Sequence, residues 1–277
     1  MQAARAFSIL SDPDAKFRAM TRHLDFDGIH NFRDFGGYAT ASGRRLKGGR
    51  LYRSANHARA SDADLERLRA LGLAVIVDLR QPDERRREPS RRWDGFACHV
   101  VDNDQSEDHL SFEQLVLEAS DLSAAWFRDH CLGFYARAPY EPRHVDLYRR
   151  YFRALADSDG AVLVHCAAGK DRTGLICALT HHVAGVHRDD ILHDYLLTND
   201  EERMAAKIAS IGPFLQRLTG KRPTDEALRI AVGVDADYLD RAFEVIAARD
   251  GSLDGYLEKT LGLDAGLREQ VQERLVA

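Results

Sequence analysis

The chain has 277 residues, a net charge of −5 and 44% apolar residues. These values fit a globular protein and exclude a disordered or collagenous chain, and so small a negative charge gives no global basic field for nucleic acid. No apolar run reaches the ~20 residues of a membrane span, and the opening MQAARAFSILSDPDAKF lacks the apolar core of a secretory leader. The expectation is a cytoplasmic protein without stable membrane insertion; export by a route without such a leader stays open. Cys98, Cys131, Cys166 and Cys177 form no CxxC pair, so free thiols are expected rather than a disulfide framework or a zinc site.

Residues 1–25 are mixed in character and expected to be peripheral. Residues 28–49, GIHNFRDFGGYATASGRRLKGG, read as loops with short strands. Ser61 is a good N-cap for a helix carrying Leu65, Leu68 and Leu71 on one face and stopping at Gly72, with Asp62 and Asp64 suited to its first turn. LAVIVDL, residues 73–79, is short, apolar and β-branched, as a buried parallel strand is. The charged run QPDERRREPSRR reads as a solvated turn. FACHVV, residues 96–101, is a second strand candidate, followed by a long insertion with some helix over 102–144.

VDLYRRYFRALAD, residues 145–157, has the spacing of an amphipathic helix, and AVLVHC, residues 161–166, that of a third buried strand. Beyond residue 173 only helix signals occur. Asp189 or Asp190, Asp200, Thr224, Asp235 and Asp264 are candidate starts; Gly185, Gly220, Gly233 and Gly262 are candidate stops. Strands alternating with helices argue for an α/β fold with a central, mostly parallel sheet flanked by helices and a helical C-terminal half. The expected organisation is one domain over 1–277: an α/β core at 26–186 and a helical extension at 187–277. Within that extension Met204, Ile208, Ile211, Phe214, Leu215 and Leu218 form an apolar stripe around a Gly212-Pro213 break. Core packing is its plainer reading and a mobile lid the sharper one.

The chemistry concentrates in HCAAGKDRTG, residues 165–174, between the strand at 161–165 and a helix expected to begin near Thr173. Ligands of open α/β sheets bind beyond the carboxyl ends of strands, where a loop entering a helix points N–H groups and the positive dipole end outward. Gly169 permits a backbone shape that a Cβ forbids, successive N–H groups can wrap an anion, and Arg172 can hold two phosphate oxygens at once. Cys166 lies at the floor of that cradle, where the same positive field favours thiolate over thiol. A thiolate beneath a bound phosphate is placed for in-line attack, giving a phosphocysteine that water then hydrolyses. A Walker loop is excluded, because Val164 stands where its first glycine belongs and Asp171, not Ser or Thr, follows Lys170.

On these residues the chain resembles the cysteine-dependent protein tyrosine phosphatase superfamily, whose signature HCx5R followed by Ser or Thr is matched by His165, Cys166, Arg172 and Thr173. The GKDRTG string is similar to a bacterial branch whose tyrosine phosphatases also act on phosphoinositides. So are Asn31-Phe32-Arg33-Asp34 with Gly36-Gly37, Asp78-Leu79-Arg80, Asp194-Tyr195-Leu196-Leu197-Thr198-Asn199 and the tail GSLDGYLEKTLGL. The resemblance covers about residues 28–265.

It implies a phosphatase-like fold and a reaction that needs neither metal nor cofactor. Cys166 is the implied nucleophile, Arg172 the phosphate clamp, and Ala167, Ala168, Gly169, Lys170, Asp171 and Arg172 the phosphate-binding loop. Thr173 is implied to hydrogen-bond the sulfur and His165 to fix the loop. Asn31, Arg33 and Asp34 read either as a polar network beside the site or as loop caps, and Asp78 and Arg80 as structural. The leaving alcohol needs a proton, for which Asp104, Asp102, Asp171 and another acid of the insertion all remain candidates. Lys170 reads either as a solvated lysine or as a contact to a second phosphate. Phosphotyrosine leads as substrate, with phosphoserine, phosphothreonine and phosphoinositides as further classes. The rival is a catalytically silent phosphate-binding module. The sequence carries no signal of oligomeric state.

Overall fold

The computed structural model describes residues 22–106, 111–119 and 121–277. Most of the expected peripheral segment, residues 1–21, and positions 107–110 and 120 of the insertion lie outside the described residues.

Five strands form one sheet: β1 (Arg33–Asp34), β2 (Leu51–Ser54), β3 (Leu73–Asp78), β4 (His99–Val101) and β5 (Ala161–His165). Their order is β1-β2-β5-β3-β4. β1 runs antiparallel to β2 and the remaining pairs are parallel. Ser54 and Asp78 both pair with His165, so the three central strands end level and the segments that follow them emerge together at the carboxyl edge.

Strand alternation divides the core between two faces. Val75, Val77, Val162 and Val164 point to one face, against α5 (Pro142–Asp157) and α6 (Asp171–Val183), and α10 (Ala236–Asp250) belongs to the same apolar cluster. Ile76, Leu163, Leu73 and Ala161 point to the other, where Leu65 and Leu68 of α1 (Asp62–Ala70) cover them. Ser61 caps α1 in a reciprocal box with Asp64, as the sequence implies. The insertion contributes α3 (Phe112–Glu118) and α4 (Ala124–Arg137).

The C-terminal half is helical as expected: α7 (Arg188–Leu196), α8 (Glu201–Thr219), α9 (Asp225–Val232), α10 and α11 (Ala265–Leu275). Asp200, Thr224, Asp235 and Asp264 are the N-caps of α8, α9, α10 and α11. α7 starts one residue before the expected aspartates, with His187 as its N-cap. Among the described residues, no helix is long and apolar enough to cross a membrane.

Two sequence expectations need correction, and one strand was without a sequence signal. The run QPDERRREPSRR is not only a turn: Pro82 opens a helix, α2 (Pro82–Arg87), closed by a box between Gln81 and Glu84. β2 is a full central strand although LYRS carries no apolar periodicity, because Arg53 is buried against charged partners rather than solvent. The Gly212-Pro213 break is absent, and α8 runs through Pro213 to Gly220. Leu215 is fully buried with Val116, Phe127, Ala227 and Leu228, and Ile208, Ile211 and Leu218 pack around them. Contacts on both sides of the proline outweigh its missing hydrogen bond and ring clash, which together cost ~3 kcal/mol. This small core, shared by α3, α4, α8 and α9, is distinct from the two clusters on the sheet.

Candidate active site

β5 ends at His165, and Cys166 opens a loop that enters α6 at Asp171, two residues before the expected start. Cys166 is 2% exposed, and its Sγ receives the Gly169 N–H at 3.3 Å. Gly169 adopts φ +68°, and a Cβ there would stand 2.5 Å from the carbonyl of Ser54. Glycine is therefore required twice, by backbone conformation and by the approach of β2.

The loop's carbonyls are held from outside. The Ala167 carbonyl accepts from the Asn56 N–H at 3.2 Å and from Asn56 Nδ2 at 3.3 Å. The Gly169 carbonyl accepts from Asn31 Nδ2 at 2.8 Å and Arg53 Nη2 at 3.1 Å. In a planar trans peptide the C=O and the next N–H point in opposite directions. Fixing these two carbonyls outward turns the N–H groups of Ala168 and Lys170 inward, beside the sulfur. With the N-terminus of α6 and its unsatisfied amides, they form a concave donor surface suited to an oxyanion.

Arg172 is gripped from two sides. Its Nη2 donates to Glu84 Oε1 at 2.8 Å, its Nη1 to Glu84 Oε2, and its Nη1 also to the Leu79 carbonyl at 3.2 Å. Burial alone would raise the Glu84 carboxyl, but Arg172 holds it below the ordinary range. The same carboxylate accepts the Gln81 N–H at 2.7 Å, so the helix cap of α2 also orients the loop arginine. Thr173 is fully buried, and its hydroxyl has no partner among the described residues.

His165 is fully buried, stacked on His57 with ring centroids 4.4 Å apart, and its Nε2 lies 3.6 Å from Asp78 Oδ2. Burial pushes it down to about 4 against the pull of Asp78, so it is neutral near pH 7. Asp78 binds Arg80 through Nε at 2.9 Å and Nη2 at 2.7 Å, a structural pair that closes the end of β3.

Behind the loop lies a buried ionic cluster. Arg33 Nη1 donates to Asn31 Oδ1, its Nε to Asp194 Oδ1 at 3.3 Å and its Nη2 to the Asp194 carbonyl at 2.8 Å. Arg53 Nη1 reaches Asp194 Oδ2 at 2.7 Å. Burial would raise Asp194, yet the two guanidiniums hold it well below the usual carboxylate range. Burial and the neighbouring Arg53 push Arg33 down to about 10, which leaves it charged at neutral pH. The structure thus brings Asn31 to the loop, with Arg33 behind it holding the Asn31 amide. Asp34 instead accepts the N–H groups of Gly36 at 2.7 Å and Gly49 at 2.6 Å and caps local turns.

The candidate acids sit in different settings. Asp104 is 94% exposed with Oδ1 2.6 Å from Arg85 Nη2, and Asp102 Oδ2 lies 3.8 Å from Arg85 Nε. Asp171, at the start of α6, accepts from Tyr135 Oη at 3.2 Å, and Tyr135 Oη is 2.6 Å from Tyr195 Oη. Since Tyr135 gives its one proton to Asp171, Tyr195 donates to Tyr135. Lys170 Nζ donates to the carbonyls of Ala231 at 2.8 Å and Gly233 at 3.1 Å and lies 3.5 Å from Asp171 Oδ2. Its charge caps the carboxyl end of α9.

A family model described as tyrosine phosphatase family matches residues 24–277. The chain belongs to that family. The relative named "Putative tyrosine-protein phosphatase" in Cupriavidus necator is 36% identical over 94% of this chain and 92% of its own length. The triple specificity protein phosphatase PtpB of Mycobacterium tuberculosis is 33% identical over 91% of this chain and 96% of its own. Among solved structures, TpbA of P. aeruginosa aligns at a TM-score of 0.30 and 19% identity over 71% of this chain and 96% of that one.

In this tyrosine phosphatase the loop was legible from sequence, but its holders were not. Arg53, Asn56, Glu84 and Tyr135 belong to no motif in the sequence. Glu84 lay in a charged run, and its box with Gln81 was the one available signal. Arg53 sat in the short polar stretch LYRS, directly before a small-residue turn.

Proposed function

We propose that this enzyme hydrolyses phosphotyrosine esters through a phosphocysteine intermediate on Cys166. The thiolate sulfur attacks phosphorus in line. An S–P bond forms as the P–O bond to the tyrosyl oxygen breaks, and the leaving oxygen takes a proton from an acid. Water then attacks the phosphocysteine and gives a proton back to that acid, the S–P bond breaks, and inorganic phosphate leaves with the thiolate restored. The inward N–H groups and Arg172 meet the charge on the three equatorial oxygens. One phosphatase domain carries the reaction, with the helical half framing the α/β core.

The observation that carries this reading is the loop itself: a buried Cys166 receiving the Gly169 N–H at 3.3 Å while the carbonyls of Ala167 and Gly169 are tied outward. Asp171 is the proton donor this geometry favours, since it belongs to the loop, whereas Asp104 is solvent-exposed and engaged by Arg85. The triple specificity in the name of the M. tuberculosis relative supports more than one substrate class; phosphoserine, phosphothreonine and phosphoinositides are the further classes of this proposal.

Turnover of para-nitrophenyl phosphate by the wild type and Cys166→Ser, with acid-quench trapping of 32P-labelled enzyme, tests the intermediate. Label on the wild type and none on the variant is expected. Undiminished turnover by Cys166→Ser would remove the thiol from the reaction, and negligible turnover by both would leave a phosphate-binding module. Rate–pH profiles of Asp171→Asn, Asp104→Asn and Asp102→Asn identify the acid, because only its removal flattens the basic limb. Loss of that limb in Asp104→Asn instead of Asp171→Asn would reassign it.

A further inference from the structure

Strand β2 contributes a guanidinium to the core directly behind the phosphate loop. Arg53 is fully buried, and two of its nitrogens have acceptors of different kinds: Nη1 meets Asp194 Oδ2 at 2.7 Å and Nη2 meets the Gly169 carbonyl at 3.1 Å. Its neighbour Arg33 is also fully buried and shares the same carboxylate. Two guanidiniums against one carboxylate leave the cluster one positive charge in excess. Cys177 beside them stays a thiol, because burial pushes it up to about 12. Burying such a group is costly unless its hydrogen bonds are made, so an arginine in a central strand needs a reason beyond filling space.

We propose that Arg53 is a positioning residue of the reaction: with the Asn31 amide it holds the Gly169 carbonyl outward and keeps the Lys170 N–H aimed at the bound phosphoryl group. The carbonyl belongs to the one loop residue at positive φ, +68°, where the chain turns. A peptide rotated there would put a carbonyl oxygen, not an N–H, toward the dianion and repel it. Two donors from separate elements, β2 and the turn before β1, converge on that one oxygen. The Asn31 donor is itself fixed, since its Oδ1 accepts from Arg33 and its backbone holds φ +55°. Asp194 completes the arrangement by orienting both arginines from α7. The excess charge of the cluster lies behind the loop, on the side from which it attracts a phosphoryl group.

The inference rests on the loop being the phosphate site, but not on the sulfur attacking. It is therefore tested by equilibrium binding of inorganic phosphate, by calorimetry, in the Cys166→Ser background. Arg53→Met and Arg53→Lys are compared with Val271→Ala, a core truncation on α11 that sets the effect of lost stability alone. One charge-assisted hydrogen bond corresponds to about a tenfold weakening of phosphate binding for Arg53→Met. Arg53→Lys, which keeps the charge, recovers part of it, and Val271→Ala binds as the parent does. Turnover in the Cys166 background follows the same order, with kcat falling more than KM rises. Should the Arg53 variants not fold, Asn31→Gly removes the other donor at a position whose φ glycine accepts, and it weakens phosphate binding in the same direction. Arg53 or Asn31 variants that bind phosphate as the parent does, whatever their melting temperature, overturn the assignment. Failure of phosphocysteine trapping with phosphate binding still sensitive to Arg53 would count against the intermediate and leave this inference standing.

Discussion

Acidification should destabilise this fold through its buried histidines, His165 foremost, before the carboxylates titrate. His165 is fully buried between β2 and β3, and burial pushes its imidazole down to about 4 from an ordinary 6.5. The unfolded chain therefore binds a proton through a range in which the native state does not. With a folded pKa below the unfolded one, its contribution is full above about pH 6.5 and is lost as pH falls toward 4, then stays level. The gap of about 2.5 pH units, at ~1.36 kcal/mol each, corresponds to about 3 kcal/mol. His57, stacked on it, is likewise lowered by burial and by His165, and adds to the same window. Asp78 and Asp194 are held below the usual carboxylate range, so their share disappears only below about pH 4. Urea unfolding followed by circular dichroism from about pH 7.5 to 4.5, on the wild type and His165→Gln, reads the slope rather than the intercept. The variant should lose about 3 kcal/mol less across that window. Equal slopes in the two proteins would refute the assignment of the acid sensitivity to His165.

Three further outcomes follow from the site. Glu84→Gln keeps the shape of the α2 cap but removes the charge facing Arg172, and kcat/KM should fall about tenfold or more; steady-state kinetics on para-nitrophenyl phosphate check it, and unchanged kinetics would mean that Arg172 finds its pose unaided. Gly169→Ala meets both a positive φ and the Ser54 carbonyl 2.5 Å from its Cβ, so it should be inactive and lower-melting; an active enzyme with an unchanged melting temperature would contradict the loop geometry. Lys170→Met should loosen the carboxyl end of α9, seen as faster hydrogen exchange at residues 231–234. Unchanged exchange with selective loss of turnover on bisphosphorylated substrates would show instead that the lysine serves a second phosphate.

What the sequence disclosed follows the range of the interactions involved. Helix starts at Asp200, Thr224, Asp235 and Asp264 were legible because an N-cap is satisfied by an amide two or three residues on. β3 and β5 were legible because strands buried on both faces are continuously apolar. The decamer at 165–174 was legible because nucleophile, glycine and arginine are covalent neighbours. β2 escaped because Arg53 is neutralised by Asp194, 141 residues away. Glu84 escaped for the same reason, since its partner Arg172 lies 88 residues on. The proline in α8 misled because a local rule was outvoted by apolar contacts on each side of it.

These long-range partners share one physical task. A loop that turns several N–H groups toward one point must turn carbonyls away from it, and buried carbonyls without donors are costly. Water could satisfy them only if the back of the loop were wet, and a wet loop would lose the low dielectric that strengthens its hold on phosphate. Asn31 from the turn before β1, and Arg53 and Asn56 from β2 and the residues just after it, solve this, while Glu84 does the equivalent for the guanidinium. The donors are thus fixed before substrate arrives, which is the condition under which they stabilise developing charge without reorganising. It also accounts for a core that tolerates Arg33, Arg53 and Asp194 fully inside it: their charge satisfies the back of the loop, so its front can be left for the phosphoryl group.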